Sequence, residues 1–257
     1  MDINWLLEQR IIHRGMITPQ CPDHAKESFL TCLDYPYPIE VDLLFLADGE
    51  VVVWRDGPLK DFGITQDSRM LSSLSQKEIS SLCSLQINES SQLKQMMTFS
   101  SFLNMIDGKI GLLIEIKEPY KSSKIYEHVA IVLNLLEGYK GKYALHSANP
   151  MVLKQIRTIK KDVPIGQISW SFDSADVIAE YKNLHQSFQF LDIIVPDFLG
   201  YKIGELKDIE TQVRVKKVCK KFGLPLLGWT VRNREDERIA LDYCDNMIIE
   251  GSIGYLK

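Results

Sequence analysis

The chain has 257 residues, of which 45% are hydrophobic, 25% are charged and 9% are aromatic. These fractions match those of globular proteins and exclude a disordered, collagen-like or disulfide-scaffold protein. The formal net charge of −4 disfavours a general nucleic-acid binder, and no apolar run reaches the roughly 18 residues of a membrane span.

Short, nearly continuous apolar runs alternate with helical patterns along the chain. Such runs are typical of parallel strands that are buried on both faces of a sheet. The predicted strands are Ile11–His13, Ile39–Leu43, Leu112–Ile116, Lys142–His146, Pro164–Ser169, Asp192–Val195, Leu224–Val231 and Met247–Ile249. Eight strand–helix units in about 250 residues predict an α/β protein with a (β/α)₈ TIM barrel, and a doubly wound sheet is the structural alternative.

The intervening segments carry helix signals. Apolar residues at helical spacing predict helices over Ile125–Leu136 and Ile209–Phe222. Asn149-Pro150 has the pattern of an N-cap followed by proline in the first turn. Gly223 is placed where a helix would end.

A second apolar run, Val51–Trp54, follows Ile39–Leu43 almost at once. The link between them contains Asp48-Gly49 and is too short for a parallel crossover, so the two runs must form an antiparallel hairpin. Folding the chain about this turn brings Arg55 opposite Asp42.

The stretch 57–97 is the least regular part of the sequence and is rich in Ser and Gln. We expect it to form an insertion over one end of a barrel, with one helical piece at Gln76–Cys83. The barrel and its insertion would make a single domain over residues 1–257.

The cysteines indicate a reducing compartment. There are five of them, an odd number, and none belongs to a CxxC pair. The opening residues, MDINWLLEQR, lack the pattern of a secretory leader. We therefore expect a cytoplasmic protein without stable membrane insertion, whose oligomeric state the sequence leaves open.

Charged residues and a histidine stand where three of the predicted strands end, at His13-Arg14, Glu40 with Asp42, and Glu115 with Lys117. The C-terminal ends of the strands form the active-site face of a TIM barrel. Three carboxylates without cysteine favour Mg²⁺ or Ca²⁺. Arginine and lysine could hold a phosphate, and a histidine could move protons, so the set fits phosphoester cleavage.

Each pair alone has a plainer explanation. Glu40 and Asp42 could form a solvated strand end, and Glu115 with Lys117 could be a surface ion pair. Their joint occurrence favours a site, because charges at the ends of apolar strands are costly to bury without partners.

Together these motifs resemble the glycerophosphodiester phosphodiesterase family over essentially the whole chain. The matching segments, in order, are HRG, PDH, IEVD, DGEVVVWRD, LLIEIK, HSANP, VPDF, GWTV and DNMIIEG. The resemblance implies a TIM barrel with a small insertion after the second strand. It also implies hydrolysis of a small-molecule glycerophosphodiester to glycerol 3-phosphate and an alcohol, with a divalent metal.

The resemblance also assigns roles to individual residues. It implies metal binding by Glu40, Asp42 and Glu115, acid/base catalysis by His13, phosphate contacts from Arg14 and Lys117, and an aromatic pocket wall at Trp229. The expected metal is Ca²⁺ or Mg²⁺, with Mn²⁺ as an alternative.

Two motifs depart from the family pattern. Arg55-Asp56 stands where the family has His-Asp, whose histidine is the second acid/base, and an arginine cannot shuttle protons. Asp23-His24-Ala25 replaces Glu-Asn-Thr, so the acidic charge is kept on a shorter side chain and the histidine is new.

Three consequences of Arg55 stay open. Another histidine could replace the missing one, with His24 as the first candidate and His146 as the second. Alternatively, the protein could bind a phosphodiester without efficient turnover, with Arg55 pairing with the carboxylates or with the phosphate. Third, it could be a slow enzyme that uses His13 alone. The remaining histidines, His128 and His185, are expected to be solvated.

Overall fold

Eight parallel strands close into a ring in the computed structural model, which describes residues 2–18, 21–64, 67–85, 92–172 and 179–251. The described strands are β1 (Ile11–His13), β2 (Ile39–Phe45), β3 (Val51–Val53), β4 (Met97–Thr98), β5 (Leu112–Ile116), β6 (Tyr143–Ser147), β7 (Ile165–Ser169), β8 (Phe198–Lys202), β9 (Leu226–Val231) and β10 (Asn246–Glu250). The ring has the order β1-β10-β9-β8-β7-β6-β5-β2, and β1 pairs with β2 to close it. The TIM barrel predicted from the sequence is therefore confirmed.

Helices lie between most of the ring strands along the chain. The described helices are α1 (Trp5–Glu8), α2 (Lys26–Cys32), α3 (Gln76–Leu85), α4 (Phe99–Ile106), α5 (Ile125–Leu135), α6 (Pro150–Ile159), α7 (Ala179–Ser187), α8 (Leu191–Ile194), α9 (Ile209–Phe222) and α10 (Arg234–Tyr243). None of these described helices combines the length and the hydropathy that a membrane span requires.

The helix start predicted at Asn149-Pro150 and the helix end predicted at Gly223 are both confirmed. The side chain of Asn149 accepts the backbone N–H of Met151 at 3.0 Å, and Pro150 occupies the first turn of α6. At the other signal, α9 ends at Gly223, whose φ of 66° lies in the left-handed region that glycine adopts without strain.

The predicted hairpin is also confirmed. β3 runs antiparallel to β2, with Leu43 opposite Val53 and Phe45 opposite Val51. The backbone N–H of Trp54 donates to the carbonyl of Asp42 at 3.2 Å. The returning strand therefore delivers the next residue to the barrel end that carries Asp42.

The described residues between β3 and β4 pack with the β2–β3 hairpin around a second apolar cluster. This cluster contains Leu44, Leu46, Val52, Trp54, Leu59, Phe62, Ile64, Leu71, Leu74, Ile79 and Leu93. The helix predicted at Gln76–Cys83 is present as α3, and β4 adds a third antiparallel strand beside β3.

Apolar side chains fill the barrel interior below the charged strand ends. The filling residues from the ring strands are Ile11, Leu113, Ala144, Phe198, Leu227 and Ile248. Trp5 and Leu6 of α1 pack against the same cluster. A Cβ on Gly166 of β7 would lie 2.0 Å from the Phe198 ring, so that ring requires glycine on the neighbouring strand.

The strand predicted at Asp192–Val195 is wrong. Helix α8 occupies this segment, and it ends at Val195 with a φ of 43°. Leu191 and Ile194 are the buried residues of α8, and their spacing of three is helical. The ring strand is β8, further along the chain. Periodicity alone cannot separate a short buried strand from a buried helical turn, which explains the error.

Candidate active site

Strand register brings the predicted site residues to one end of the barrel. The pairs across neighbouring strands are His13 with Glu40, His13 with Glu250, Asp42 with Glu115, and Glu115 with His146. His13, Glu115, His146 and Glu250 lie in the C-terminal part of their strands, and the register places Glu40 and Asp42 of the longer strand β2 beside them. This end of a TIM barrel is the face on which active sites form.

A cavity of about 200 Å³ opens among these strand ends. Its charged and imidazole-bearing wall contains His13, Arg14, Glu40, Glu115, Lys117 and His146. Its lining also includes the apolar and aromatic side chains of Ile168, Trp170 and Trp229. The cavity thus combines convergent ionisable groups with an apolar wall, as ligand sites commonly do.

His13 lies between two carboxylates. Its Nε2 is 3.7 Å from Oε2 of Glu40, and its Nδ1 is 3.8 Å from Oε1 of Glu250. The other oxygen of Glu250 accepts from Nε of Arg232 at 2.8 Å. Interaction with His13, together with the charge of Arg232, lowers the pKa of Glu250. Glu250 is therefore anionic at neutral pH and faces the imidazole.

Arg14 has a backbone conformation that is rare for a residue with a side chain. Its φ is 59°, and such a residue costs on the order of 1–3 kcal/mol. Two backbone hydrogen bonds of 2.9 Å fix it, one donated to Glu40 and one accepted from His24. The following residue, Gly15, has a φ of 90°, and a Cβ there would lie 2.5 Å from Oγ of Ser28. The backbone thus aims the guanidinium of Arg14 into the site.

Asp42 is fully buried between two cations. One oxygen lies 2.8 Å from Nη2 of Arg14, and the other lies 3.2 Å from Nζ of Lys117. Burial alone would raise the pKa of Asp42, but Lys117 and Arg14 hold it well below its usual range.

Lys117 bridges two carboxylates. Its Nζ lies 2.8 Å from Oε2 of Glu115 as well as beside Asp42. Burial favours the neutral amine, but Asp42 and Glu115 raise the pKa of Lys117 above its usual value. Burial also disfavours the charged form of Arg14, but the nearby carboxylates, Asp42 above all, raise the pKa of Arg14 above its usual value. Both cations therefore keep their charge at neutral pH and can bind a phosphate.

Three groups converge as candidate metal ligands. Ligand atoms of Glu40, Glu115 and His146 all lie within 4.8 Å of one another. Oε2 of Glu40, Nε2 of His146 and both carboxylate oxygens of Asp42 are buried and have no hydrogen-bond partner among the described residues. Such unpartnered buried atoms are uncommon in folded proteins and fit an absent cation.

The protonation of this group follows from its burial. Burial and the neighbouring Asp42 raise the pKa of Glu40, and burial raises that of Glu115. Burial also lowers the pKa of His146 to about 4, so its imidazole is neutral at neutral pH and has a free lone pair. The metal set implied by the family resemblance had Asp42 in place of His146, and that set stays a prediction.

His24 lies behind Asp42 and is fully buried. Its Nε2 accepts the backbone N–H of Asp42 at 3.1 Å. Burial is the main reason that the pKa of His24 is far below its usual value. A neutral histidine that accepts at Nε2 carries its proton on Nδ1. This nitrogen lies 3.8 Å from Asp23.

Arg55 pairs with Asp23, not with Asp42. Its Nε is 3.3 Å from Oδ2 of Asp23, which is also 3.3 Å from Nη1 of Arg14. The Arg55 guanidinium lies over the ring of Phe62, 4.8 Å from its centre. Asp23 therefore links the two arginines beside the cavity.

A second cavity of about 500 Å³ adjoins the first and shares Glu115 and Lys117 with it. Its other lining residues include Phe45, Asp56, Ser72, Ser122, His128 and Asn149. Because the two cavities meet at Lys117, a ligand centred there has two separate spaces beside it.

Two histidines expected to be solvated are buried. His128 stacks on Phe45 at 3.7 Å and pairs through Nδ1 with Glu118. His185 on α7 is 1% exposed, and its Nε2 lies 3.0 Å from the hydroxyl of Tyr120. Burial lowers the pKa of His185 to about 3.

Sequence reasoning missed Trp170, Arg232 and Glu250. Trp170 stacks on Phe172 at 3.6 Å and meets Trp229 edge to face at 5.9 Å. Their positions in the sequence could have identified them, because Trp170 and Arg232 directly follow strands β7 and β9, and Glu250 is the last residue of β10. The strand-end rule applied to every strand would have included them.

One protein family and several solved structures resemble this chain. The model of the glycerophosphoryl diester phosphodiesterase family matches residues 13–251. A search of curated proteins found no match. Similar solved structures include that of a Silicibacter pomeroyi protein, with a TM-score of 0.72, 20% identity and coverage of 95% of this chain and 90% of that one.

Two further structures have named activities. An Oleispira antarctica phosphodiesterase, in complex with the product sn-glycerol-3-phosphate, has a TM-score of 0.70 and 18% identity over 95% of this chain and 93% of its own. A Thermotoga maritima glycerophosphodiester phosphodiesterase has a TM-score of 0.69 and 19% identity over 97% of both chains. These likenesses show the shared fold. Since the family match spans most of the sequence, the chain belongs to the glycerophosphoryl diester phosphodiesterase family, a family of phosphoric diester hydrolases.

Proposed function

We propose that the protein hydrolyses a glycerophosphodiester to glycerol 3-phosphate and an alcohol in a metal-dependent reaction. The observation that carries this proposal is the convergence of His13, Arg14, Lys117, Glu40 and Glu115 on one cavity. Water supplies an oxygen to phosphorus, the bond from phosphorus to the alcohol oxygen breaks, and a proton ends on the alcohol. The product complex of the Oleispira phosphodiesterase supports a phosphate monoester as product.

Arg14 and Lys117 would bind the phosphate. Both side chains are cationic and line the cavity, and both already hold the carboxylate of Asp42. Asp42 would orient them so that they face the two non-bridging oxygens. Charge-assisted hydrogen bonds of this kind stabilise the charge that develops on a phosphoryl group.

His13 would carry the proton. It lines the cavity, and the carboxylate of Glu250 faces its Nδ1. A carboxylate behind an imidazole fixes its orientation and stabilises its protonated form. In this role Glu250 is a positioning residue, and His13 is the acid/base that touches the substrate.

Glu40 and Glu115 would hold a divalent cation beside the phosphate. When bound, such a cation polarises the phosphoryl oxygen and stabilises negative charge there. The unpartnered oxygen of Glu40 supports this assignment. Asp42 as a third ligand, and Ca²⁺, Mg²⁺ or Mn²⁺ as the metal, remain the predictions of the sequence.

The two cavities would separate the two arms of the diester. The phosphate would lie at Lys117, where they meet. The smaller cavity, walled by Trp170 and Trp229, suits the three carbons of glycerol. The larger cavity would take the alcohol.

A second candidate function is binding of a phosphodiester without efficient turnover. It is favoured by Arg55, which occupies the place of the family's second acid/base and is held by Asp23. Of the two histidines considered as substitutes, His146 lines the cavity. His24 is buried behind Asp42, and its Nε2 already accepts a backbone N–H. This geometry favours His146 over His24 as a group that could approach substrate.

We also propose a cytoplasmic location and a single domain with its insertion at 57–97. None of the five cysteines forms a disulfide in the described structure, which supports a reducing compartment. The described insertion residues pack on the β2–β3 hairpin, which supports one domain.

Hydrolysis in ¹⁸O-labelled water tests the proposed function directly. Glycerophosphocholine and glycerophosphoethanolamine would be incubated with the full chain and Ca²⁺, Mg²⁺ or Mn²⁺, and the products followed by ³¹P NMR. We expect glycerol 3-phosphate with one ¹⁸O on phosphorus and no product with a chelator present or from Glu40→Gln. Unlabelled product, or product from Glu40→Gln at the wild-type rate, would overturn the proposal.

A further inference from the structure

The buried pair Glu118–His128 lines the larger cavity and has no part in the reaction proposed above. Nδ1 of His128 pairs with Oε1 of Glu118, whose side chain is 3% exposed. The imidazole is stacked on the ring of Phe45, with 3.7 Å between the ring centres and 4° between the ring planes. Both members of the pair line the same cavity as Lys117, where the phosphate would lie. The pair therefore stands in the space proposed for the alcohol.

Backbone contacts hold this pair in place from both sides. Nδ2 of Asn149 donates to the carbonyl oxygens of Glu118 and Pro119, at 3.3 Å and 3.1 Å. His128 lies near the start of α5, and its backbone N–H donates to the carbonyl of Lys124 at 2.9 Å. A group that is fixed in this way loses little conformational freedom when a ligand binds, which favours selective recognition.

The second ring nitrogen of His128 is open to the cavity. His128 as a whole is 8% exposed. Its Nε2 makes no hydrogen bond within the described part of the chain, and it does not belong to the polar atoms there that are buried without a partner. The accessible part of this side chain therefore includes Nε2, and the larger cavity is the space that it faces.

A hydroxyl group is the partner that fits this nitrogen. Nε2 accepts a hydrogen bond when the imidazole is neutral and donates one when the imidazole is protonated. A hydroxyl group can make the matching bond in either case, because it is both a donor and an acceptor. An alkyl group can make neither bond, so it would leave Nε2 without a partner once it had displaced water from the cavity.

A quaternary ammonium group fits the cavity less well. Such a group has no N–H to donate, and proteins commonly hold it in a cage of aromatic rings. Apart from the imidazole, Phe45 is the only ring among the described residues that line this cavity. Phe45 is 7% exposed, and His128 covers one of its faces. The carboxylate of Glu118 is paired with the imidazole, so it is not free to balance an ammonium charge.

We propose that the Glu118–His128 pair determines the specificity of the larger cavity, and that it selects glycerophosphodiesters whose alcohol carries a further hydroxyl group, as diols and polyols do. His128 contacts that hydroxyl through Nε2, and Glu118 is a positioning residue that fixes Nδ1. The use of this cavity for the alcohol rests on the proposed function. A site built to bind a hydroxyl rejects an analogue that lacks it, because the polar group of the site is then left unpaired.

Two esters of glycerol 3-phosphate that differ in one group test the proposal. The alcohol is ethylene glycol in one ester and 1-propanol in the other, so a methyl group replaces the hydroxyl. The measured quantity is the ratio of kcat/KM for the two esters, because their intrinsic difference in reactivity cancels when ratios are compared between variants. We expect the ratio to fall about tenfold in His128→Phe, which keeps a ring on Phe45 but lacks Nε2. An unchanged ratio in folded His128→Phe would overturn the proposal.

His185→Phe is the matched control, because His185 is also a buried histidine but lines neither of the two cavities. It should keep the wild-type ratio, and a fall as large as that in His128→Phe would overturn the proposal. If His128→Phe does not fold, the double variant Glu118→Leu/His128→Phe replaces the buried pair by apolar groups, an exchange that is often tolerated. The same fall is expected there, and an unchanged ratio would count against the proposal equally.

Variants of Glu118 separate its positioning role from the polarity of the cavity. Glu118→Gln keeps an oxygen that can accept from Nδ1 of His128, so it should keep most of the wild-type ratio. Glu118→Ala leaves the imidazole without this partner, and the ratio should fall, mainly through KM for the ethylene glycol ester. An unchanged ratio in Glu118→Ala would contradict the role assigned to Glu118.

Failure of the proposed function is distinguishable from failure of this proposal. If wild type releases glycerol 3-phosphate from neither ester nor from glycerophosphoethanolamine, hydrolysis is refuted. Calorimetric titration of both esters into the wild-type chain then tests the selectivity by itself. Tighter binding of the ethylene glycol ester that is lost in His128→Phe would support the proposal, and equal affinities of wild type for the two esters would overturn it.

Discussion

Nε of Arg55 lies 3.3 Å from the carboxylate of Asp23, and the same carboxylate oxygen lies 3.3 Å from Nη1 of Arg14. Arg55 is thereby held beside the cavity, with its guanidinium over Phe62. This position lets it support the charge balance around Arg14. It does not let it transfer a proton, because an arginine side chain stays protonated in proteins.

The first prediction concerns the leaving group. If His13 is the only proton carrier, an alcohol with a high pKa should leave slowly and an activated phenol should leave well, since losing one general acid costs about 10²–10⁴-fold. We expect a steep dependence of kcat/KM on leaving-group pKa for wild type and a shallower one for Arg55→His. The measurement is a series of glycerophosphodiesters with graded leaving groups.

Arg55→Gln is the matched control for this series, because it removes the charge without adding a proton carrier. Its slope should equal that of wild type. Equal slopes for wild type and Arg55→His would show that Arg55 does not limit protonation of the leaving group.

The second prediction concerns Glu250. Removing its charge in Glu250→Gln should lower kcat by about 10²-fold and leave KM nearly unchanged, because misorientation of a catalytic group acts on the chemical step. Glu250→Asp, which keeps the carboxylate, should recover part of the loss. An equal loss in both variants, or a change confined to KM, would argue against a positioning role.

The third prediction concerns the larger cavity as the alcohol site. Ser122 lines it on the loop before α5. Ser122→Trp should fill part of this space and cost about 1–3 kcal/mol for a bulky alcohol. That range is roughly a fivefold to 150-fold rise in KM. Comparing glycerophosphoinositol with a glycerophosphodiester of methanol would check it, and equal effects on the two substrates would contradict the assignment.

The fourth prediction concerns stability and pH. The folded pKa of His185 is lowered to about 3 by burial, while an unfolded histidine titrates near 6.5. Below about pH 6.5 the unfolded chain binds a proton that the folded chain does not. The free energy of unfolding therefore falls as the pH drops from about 6.5 towards 3, and His185 contributes about 2 kcal/mol of this fall at pH 5.

Urea unfolding at about pH 7.5 and pH 5 would measure this effect in wild type and His185→Gln. The variant should lose less stability between the two pH values, by about 2 kcal/mol. Only the difference between the pH values is compared, so any cost of the substitution itself cancels. An unchanged difference would show that His185 does not remain neutral in the folded state.

The barrel and most of its charged residues could be predicted from the sequence because they obey strict geometric rules. Glu40 and Asp42 interrupt a buried strand at period two, and Glu115 with Lys117 repeats the pattern. Charges in such places need partners, and strand order in a TIM barrel follows chain order. The convergence of these residues therefore follows from local sequence and topology together.

Other features depend on contacts between segments far apart in the chain. Asp23 and Arg55 belong to different loops, so their pairing follows only from the packed structure. His185 looked solvated because its sequence neighbours are polar, but Tyr120 and Ser169 from other elements enclose it. His146 could be placed at a strand end, but its partners come from strands β2 and β5.

The most direct measurement of the central claim is glycerol 3-phosphate release from glycerophosphoethanolamine by wild type, Glu40→Gln and Arg55→His, assayed side by side with saturating metal. The claim is that this cavity catalyses hydrolysis although Arg55 replaces the second acid/base. It predicts measurable turnover by wild type, none by Glu40→Gln and faster turnover by Arg55→His. Turnover by Arg55→His alone would contradict it and would show that the natural protein does not cleave this phosphodiester.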